Sequence, residues 1–329
     1  MKKDRKLSFS VVLPCRNEEL FLSRCLDSIY AQSVLPIEVI LADGMSTDRT
    51  REIARVYAEK HGNLKIIDNP EKIAPTALNR AIEASSGELI ARVDAHCFLE
   101  ADYLEQCLAA LERSGADNVG GPMRAEGEGL IAKMISLATS SPFGVGNALF
   151  HYAKEDCFVD TVYLGCYRRE VFERIGLFDP ELVRNQDDEL NYRLTLAGGK
   201  IFCSPKIRST YFNRATLGKL FSQYFQYGFW KVRVIRKHHR PASLRHLVPA
   251  LFVLSLSASL CEALVNVLPL LLLGGLYLGA GAIAAARISW RKPHLIPLLL
   301  IIFFILHFSY GLGFLGGLFR SSSGRKSEN

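Results

Sequence analysis

The chain has 329 residues, enough for one large α/β domain plus a membrane segment. Its formal charge is +7, yet the excess lies beside apolar segments, which suits anionic lipid headgroups and argues against nucleic acid as a partner. Residues Met1 to Ser10 are basic but lack an apolar h-region, so no secretory signal is expected and the polar part is expected in the cytosol. Eight cysteines without a CxxC pair exclude a zinc site of the usual spacing, and all eight are expected to be reduced.

In chain order, short apolar runs alternate with helical patterns. Phe9–Pro14 is expected as a buried strand. Asn17 is placed to cap a helix whose Leu20, Leu22, Leu26 and Ile29 share a face. Ile37–Leu41, Leu64–Ile67 and Glu88–Val93 read as further strands. Asp48–Lys60, Thr76–Ser85 and Asp102–Arg113 read as helices, followed by an apolar turn to Val119-Gly120-Gly121. The alternation predicts an α/β fold with a mostly parallel sheet covered on both faces, and ligands bind such sheets at the carboxyl ends of the strands. Met123–Tyr163 is rich in Gly and Ser and is expected to be a partly ordered acceptor-side region. Helices resume at Arg168–Ile175 and Asp188–Ala197, the latter stopped by Gly198-Gly199.

The end of the chain is apolar. Leu247–Ala286 is forty residues with one charge, Glu262, which fits a helical hairpin turning near Asn266–Pro269, since one span takes about 20 residues. Ile296–Phe319 holds no Asp, Glu, Lys or Arg and is long enough for a third span. The basic segments Lys231–Arg245 and 287–293 are both expected on the cytoplasmic side, which two intervening spans allow. The basic tail with Arg320, Arg325 and Lys326 pulls against a third crossing. Packing or re-entry through Gly311, Gly313, Gly316 and Gly317 is the alternative.

Five polar clusters carry candidate chemistry. Pro14-Cys15-Arg16-Asn17-Glu18-Glu19 follows the first strand and serves either as a ligand contact or as a helix cap. Ala42-Asp43-Gly44-Met45-Ser46-Thr47-Asp48 follows the second. It is either turn chemistry or a carboxylate that accepts the imide N–H of a uracil ring. Asp94 and His96 follow the fourth strand and can hold a hard divalent cation, which a nucleotide diphosphate needs. Gln186-Asp187-Asp188-Glu189 opens a helix, as a dipole cap or as the source of a general base. Gln226 to Lys231 joins aromatics to a basic run, as an interfacial belt or as part of an active-site closure.

Order and spacing make these clusters informative together. From Ser8 to Lys231 the chain resembles the family 2 glycosyltransferases of the GT-A fold. Pro14, Asn17 and Glu18 match that family's Pro-x-Tyr-Asn-Glu motif, with Arg16 at the usual Tyr. Asp43, Gly44, Ser46 and Asp48 match its Asp-Asp-Gly-Ser-x-Asp region, with Ala42 for the first Asp and Met45 inserted. Asp94 and His96 match Asp-x-Asp, Gln186-Asp187 matches Glu-Asp, and Gln226 to Trp230 matches Gln-x-x-Arg-Trp with Phe229 for the Arg. The resemblance implies Asp187 as catalytic base and Asp94 with His96 as ligands of Mn²⁺ or Mg²⁺. It implies a donor site drawn from Pro14, Arg16, Asn17, Glu18, Asp43, Ser46, Asn79, Asp94, Gln226, Trp230 and Lys231, the last replacing the missing Arg.

VDAH, DDELNYRL, QYGFWK and the apolar end together resemble a succinoglycan-type exopolysaccharide subgroup of this family. That implies a membrane-anchored, inverting enzyme that moves a sugar from a UDP-sugar to a lipid-linked oligosaccharide at the cytoplasmic membrane. A polyprenyl-phosphate monosaccharide synthase and a non-catalytic membrane scaffold are the alternatives. The expected layout is a catalytic domain over 1–212, an interfacial amphipathic helix and basic segment over 213–246, two or three spans over 247–319, and a polar tail over 320–329.

Overall fold

The computed structural model describes residues 7–126, 129–212 and 216–319. The chain divides into two compact units, one of Met1–Glu126 with Leu149–Phe212, the other of Gly127–Ala148 with Asn213–Asn329. Residues 127–148 thus group with the C-terminal helices, although the sequence suggests one continuous domain up to 212.

In the first unit, β1 (Phe9–Cys15), α1 (Leu22–Tyr30), β2 (Glu38–Asp43), α2 (Thr50–His61), β3 (Leu64–Asp68), α3 (Ala74–Glu83) and β4 (Leu89–Arg92) alternate as expected. β5 (Cys97–Leu99), α4 (Tyr103–Ser114), β6 (Asn118–Gly121) and β7 (Arg124–Glu126) follow. The second unit then contributes α5 (Leu130–Thr139) and α6 (Pro142–Val145). The chain returns to the first with β8 (Cys157–Phe158), β9 (Tyr163–Arg168), α7 (Arg169–Ile175), α8 (Gln186–Leu196), β10 (Ile201–Cys203) and β11 (Ser209–Phe212). The main sheet runs β3-β2-β1-β4-β9-β6-β10-β8, and β5-β11-β7 form a small second sheet. β1 pairs in parallel with β2 and β4, and β2 with β3; β9 enters antiparallel between β4 and β6.

The strands are apolar because both faces are covered. On one face Val11, Leu13, Leu41 and Val93 pack with Leu22, Leu26, Leu104 and Leu111. On the other, Val12, Ile40 and Ile90 pack with Leu78, Ile82, Leu190 and Leu194. All eight cysteines are free, as expected.

Three details depart from the sequence pattern. The first helix starts at Leu22 and not at Asn17, which takes a left-handed φ of 55° and spends its side chain on another loop; Leu20 is exposed. Val119-Gly120-Gly121 is part of a central strand and not a turn. Within Met123–Tyr163, α5 is a regular apolar helix whose Met134, Ile135 and Ala138 are buried, so the segment is more ordered than its Gly and Ser content suggests.

The second unit continues with α9 (Leu217–His238), α10 (Val248–Glu262), α11 (Leu268–Ser289) and α12 (Ile296–Phe319). Three stretches, Leu244–Glu262, Leu268–Ser289 and Pro293–Phe319, are long and apolar enough to cross a membrane. The first two form the expected hairpin pair, broken at residues 263–267. The basic tail after Phe319 lies outside the described residues. α9 lies along α12, and glycine permits the approach. A Cβ on Gly228 would stand 2.0 Å from the Tyr310 carbonyl oxygen, and one on Gly313 would stand 1.9 Å from that of Phe225. Arg236 closes this seam by donating to the Leu318 carbonyl at 2.6 Å.

Gly313→Ala is therefore expected to force α9 from α12 at a cost of about 1–3 kcal/mol, the usual scale of overpacking. A lower melting temperature of the detergent-purified variant checks this; an unchanged one refutes the tight seam.

Candidate active site

Parallel register brings three strand ends level: Cys15 pairs with Asp43, and Asp43 with Asp68. β4 is registered so that Val12 faces Arg92, and Val93 continues the ladder to the Val12 carbonyl at 3.0 Å. The segments after β1, β2 and β4 therefore meet at one edge of the sheet.

The loops after β1 and β2 are laced together. The Asn17 amide donates to Ser46 Oγ at 2.9 Å, the Thr47 amide to Asn17 Oδ1 at 2.9 Å, and the Glu18 amide to Thr50 Oγ1 at 2.8 Å. Met45, the inserted residue, takes a left-handed φ of 56°. Asp43 is fully buried, accepting from Ser46 Oγ at 2.5 Å and from Arg51 at 3.1 Å. Arg51 also pairs with Asp68 at 2.7 Å. Asp43 thus fixes the turn that follows it. Arg16 is exposed and reaches the Lys72 carbonyl at 3.5 Å.

The segment after β4 carries the candidate cation ligands. Ligand atoms of Asp94, His96 and Cys97 lie within 4.8 Å of one another. Burial pushes the Cys97 thiol far above its ordinary range, and its sulfur meets the Tyr163 hydroxyl at 2.6 Å. A protonated, soft thiol is a poor partner for a hard cation, which leaves Asp94 and His96. His96 Nδ1 lies 3.0 Å from Glu18 Oε1. Burial alone would lower the imidazole pKa, but the bond to Glu18 and the charge of Asp94 carry it above its ordinary value. A carboxylate on one ring nitrogen leaves the other for a metal, the usual outer-shell arrangement of metal-binding histidines. The oxygen and nitrogen donors fit Mn²⁺ well and Mg²⁺ less well.

Asp187 stands at the start of α8, after Asn185 with a left-handed φ of 60°. Burial raises its carboxyl above the ordinary carboxylate range, against the opposing charge of Arg92. Arg92 is the residue that the sequence pattern missed. Its guanidinium is buried, bonds Asp94 Oδ1 at 2.9 Å through one terminal nitrogen, and bonds Asp187 through the other. One side chain thus ties Asp94 to Asp187. The available signal was an arginine at the end of an otherwise apolar strand, which must find a carboxylate when buried.

Asn79 is placed elsewhere. Its amide donates to the Phe178 carbonyl at 2.8 Å and accepts from the Phe178 amide at 2.9 Å, so it braces α3 against the segment before α8. Gln226, Trp230 and Lys231 belong to α9 in the second unit, where Trp230 meets Phe229 edge-on and Arg233 lies 5.3 Å over its ring. Lys231 is buried.

The chain and its sheet match known proteins. The model for "Glycosyl transferase family 2" matches residues 10–176. The chain is 32% identical to the succinoglycan biosynthesis protein ExoA of Rhizobium meliloti, covering 95% of this chain and 96% of that one. It is 29% identical to a dolichyl N-acetyl-alpha-D-glucosaminyl phosphate 3-beta-D-2,3-diacetamido-2,3-dideoxy-beta-D-glucuronosyltransferase of Methanococcus voltae, covering 95% and 98%. Among solved structures it resembles the mannosyltransferase PcManGT of Pyrobaculum calidifontis, determined with GDP-Man and Mn²⁺, at a TM-score of 0.61 and 19% identity, covering 95% and 87%. The chain belongs to glycosyltransferase family 2 and has the GT-A fold.

Losing Arg92 leaves two carboxylates facing each other. Arg92→Leu is expected to destabilise the protein by about 3–5 kcal/mol, the scale of a broken buried pair. Adding Asp187→Asn should restore part of that loss in a double-mutant cycle of unfolding. Strict additivity would deny the coupling.

Proposed function

We propose that this glycosyltransferase is anchored in the membrane with its catalytic unit on the cytoplasmic side, and that it moves a sugar from a UDP-sugar to a lipid-linked glycan with inversion. The observation that carries the mechanism is the Arg92 bridge, which sets Asp187 and Asp94 on the two sides of one guanidinium. The two relatives matched over 95% of the chain support a lipid-linked acceptor: one is a succinoglycan biosynthesis protein and the other is named for a dolichyl-phosphate-linked sugar. Three helices apolar enough to cross a membrane support the anchor.

In this mechanism the donor lies across the strand ends. Pro14, Arg16, Asn17, Glu18 and Ser46 line the nucleotide side, on a turn ordered by Asp43. The buried Asp43 carboxylate already accepts from the Ser46 amide, the Ser46 hydroxyl and Arg51, and so supports the site from behind instead of meeting a uracil imide as the sequence suggests. Asp94 and His96 would hold Mn²⁺ or Mg²⁺, which supplies neutralising charge to the nucleotide diphosphate. Glu18 keeps the His96 ring oriented. Gln226, Trp230 and Lys231 are assigned to the donor diphosphate by family resemblance. Arg92 keeps Asp187 ionised in a site whose burial favours the protonated acid. Asp187 takes the proton of the acceptor hydroxyl. The acceptor oxygen bonds the anomeric carbon as the bond from that carbon to the diphosphate oxygen breaks on the opposite face, and UDP leaves with the electron pair.

Asp187→Asn is expected to bind donor and to lose transfer by roughly 100-fold or more, the scale of a lost general base. Nucleotide release from a panel of UDP- and GDP-sugars, in detergent with Mn²⁺ and a lipid extract, checks this. Release that survives in the variant points to an acceptor phosphate, already ionised, and to a polyprenyl-phosphate monosaccharide synthase. No release from any donor favours the scaffold.

Two pH limits are expected. A raised His96 pKa means that protons compete with the cation at higher pH than for a free imidazole. Mn²⁺ affinity, followed by electron paramagnetic resonance, should therefore fall as pH drops through a value above about 6.5. At saturating Mn²⁺ the acid limb of kcat should report Asp187. It should lie above the ordinary aspartate value of about 3.9, with transfer lost below it because the base is then protonated. An acid limb at or below that value would separate Asp187 from the base role.

A further inference from the structure

Residues 129–148 leave the catalytic unit between β7 and Leu149 and return to it, and the Met123 amide donates to the Phe150 carbonyl at 3.0 Å across the base of the excursion. Both ends of the segment therefore start from one place. Between them, α5 is a ten-residue apolar helix, too short to cross a bilayer and of the length typical of re-entrant or interfacial pieces. Its buried face, Met134, Ile135 and Ala138, shares one cluster with Leu299, Ile302, Phe303 and Leu306 of α12 and Ala285 of α11. Its other face shows Leu130, Ile131 and Leu137 to the surroundings, and they are 54%, 40% and 42% exposed. They stand on a helix packed against others that are themselves long and apolar enough to cross a membrane.

The turn beyond α5 pairs its polar groups within itself and with the neighbouring helices, which irregular backbone needs in an apolar medium. Ser141 donates to the Ala138 carbonyl at 2.7 Å and accepts from the Gly144 amide at 3.2 Å. The Phe143 carbonyl, at the tip, accepts from His307 Nε2 of α12 at 2.8 Å. His307 Nδ1 in turn accepts from the Tyr277 hydroxyl of α11 at 2.8 Å. An imidazole in a helix without Asp, Glu, Lys or Arg calls for a specific task, and the mechanism above gives it none. Satisfying the tip carbonyl is such a task.

We propose that residues 129–146 form a re-entrant element that dips into the bilayer beside the spans, touches acyl chains through Leu130, Ile131 and Leu137, and is pinned at its tip by His307 held by Tyr277. This rests on the membrane-anchored reading of α10 to α12 but not on turnover, the donor or the base. Spin labels placed in the full chain in phospholipid vesicles test it, on a Cys157→Ser, Cys261→Ser background because the remaining cysteines are buried. Labels at Leu137→Cys and, as a span control, Leu276→Cys should collide with oxygen in preference to a water-soluble nickel chelate. A label at the exposed Glu59→Cys should show the reverse. Leu137 behaving like Glu59 while Leu276 faces lipid overturns the element alone; Leu276 also behaving like Glu59 overturns the anchor with it. Exclusion of both reagents from Leu137 means that another protein surface covers it, which also overturns the proposal. His307→Leu should increase label mobility at Leu137, and His307→Gln, which keeps an N–H donor, should restore it. Unchanged mobility in His307→Leu removes the pin.

Discussion

The catalytic unit depends on a cation of its own, the buried guanidinium of Arg92. Asp94 and Asp187 come from distant parts of the unit in sequence, one after a parallel strand and one at the head of a helix. Two carboxylates so close in a buried site would repel each other, and one would take up a proton. A permanently charged side chain between them removes that outcome and fixes both geometries. It can do so because β4 ends at Arg92 and hands its neighbours Val93 and Asp94 to the strand edge in register with β1. The sheet order therefore matters for the chemistry, since it sets which strand end faces α8.

The same logic runs through the paired loops after β1 and β2. Asn17 and Met45 both sit in left-handed backbone, a costly conformation for residues with a Cβ, and cross-loop hydrogen bonds hold them there. Glu18 extends from this lattice to His96. A motif that looks like a donor contact in sequence thus also orients His96.

The fold was largely legible because its signals are local. Buried parallel strands are apolar runs and covering helices have an apolar stripe, and β1 to β4 with α1 to α4 follow both rules. Asn17 was misplaced because a capping residue and a cross-loop acceptor have the same composition. Asn79 looked like a donor contact, yet its partner is the Phe178 backbone, 99 residues away. Arg92 lay outside every motif, since its importance appears only when a distant aspartate is brought against it. α5 was hidden by the glycines and serines around it, and its partners on α12 lie far along the chain.

That last separation has a consequence for how the protein is made. The apolar face of Leu130–Thr139 leaves the ribosome about 160 residues before Leu299, its packing partner. At ordinary synthesis rates of about 5–20 residues per second, the wait is roughly 10–30 s. Throughout it the helix lacks its partners on α12, while the sheet on either side of it can already close around the stem. Early contact with a lipid surface or a chaperone would shield it, so biogenesis of this enzyme is expected to need such shelter before the first helix long and apolar enough to cross a membrane has been translated.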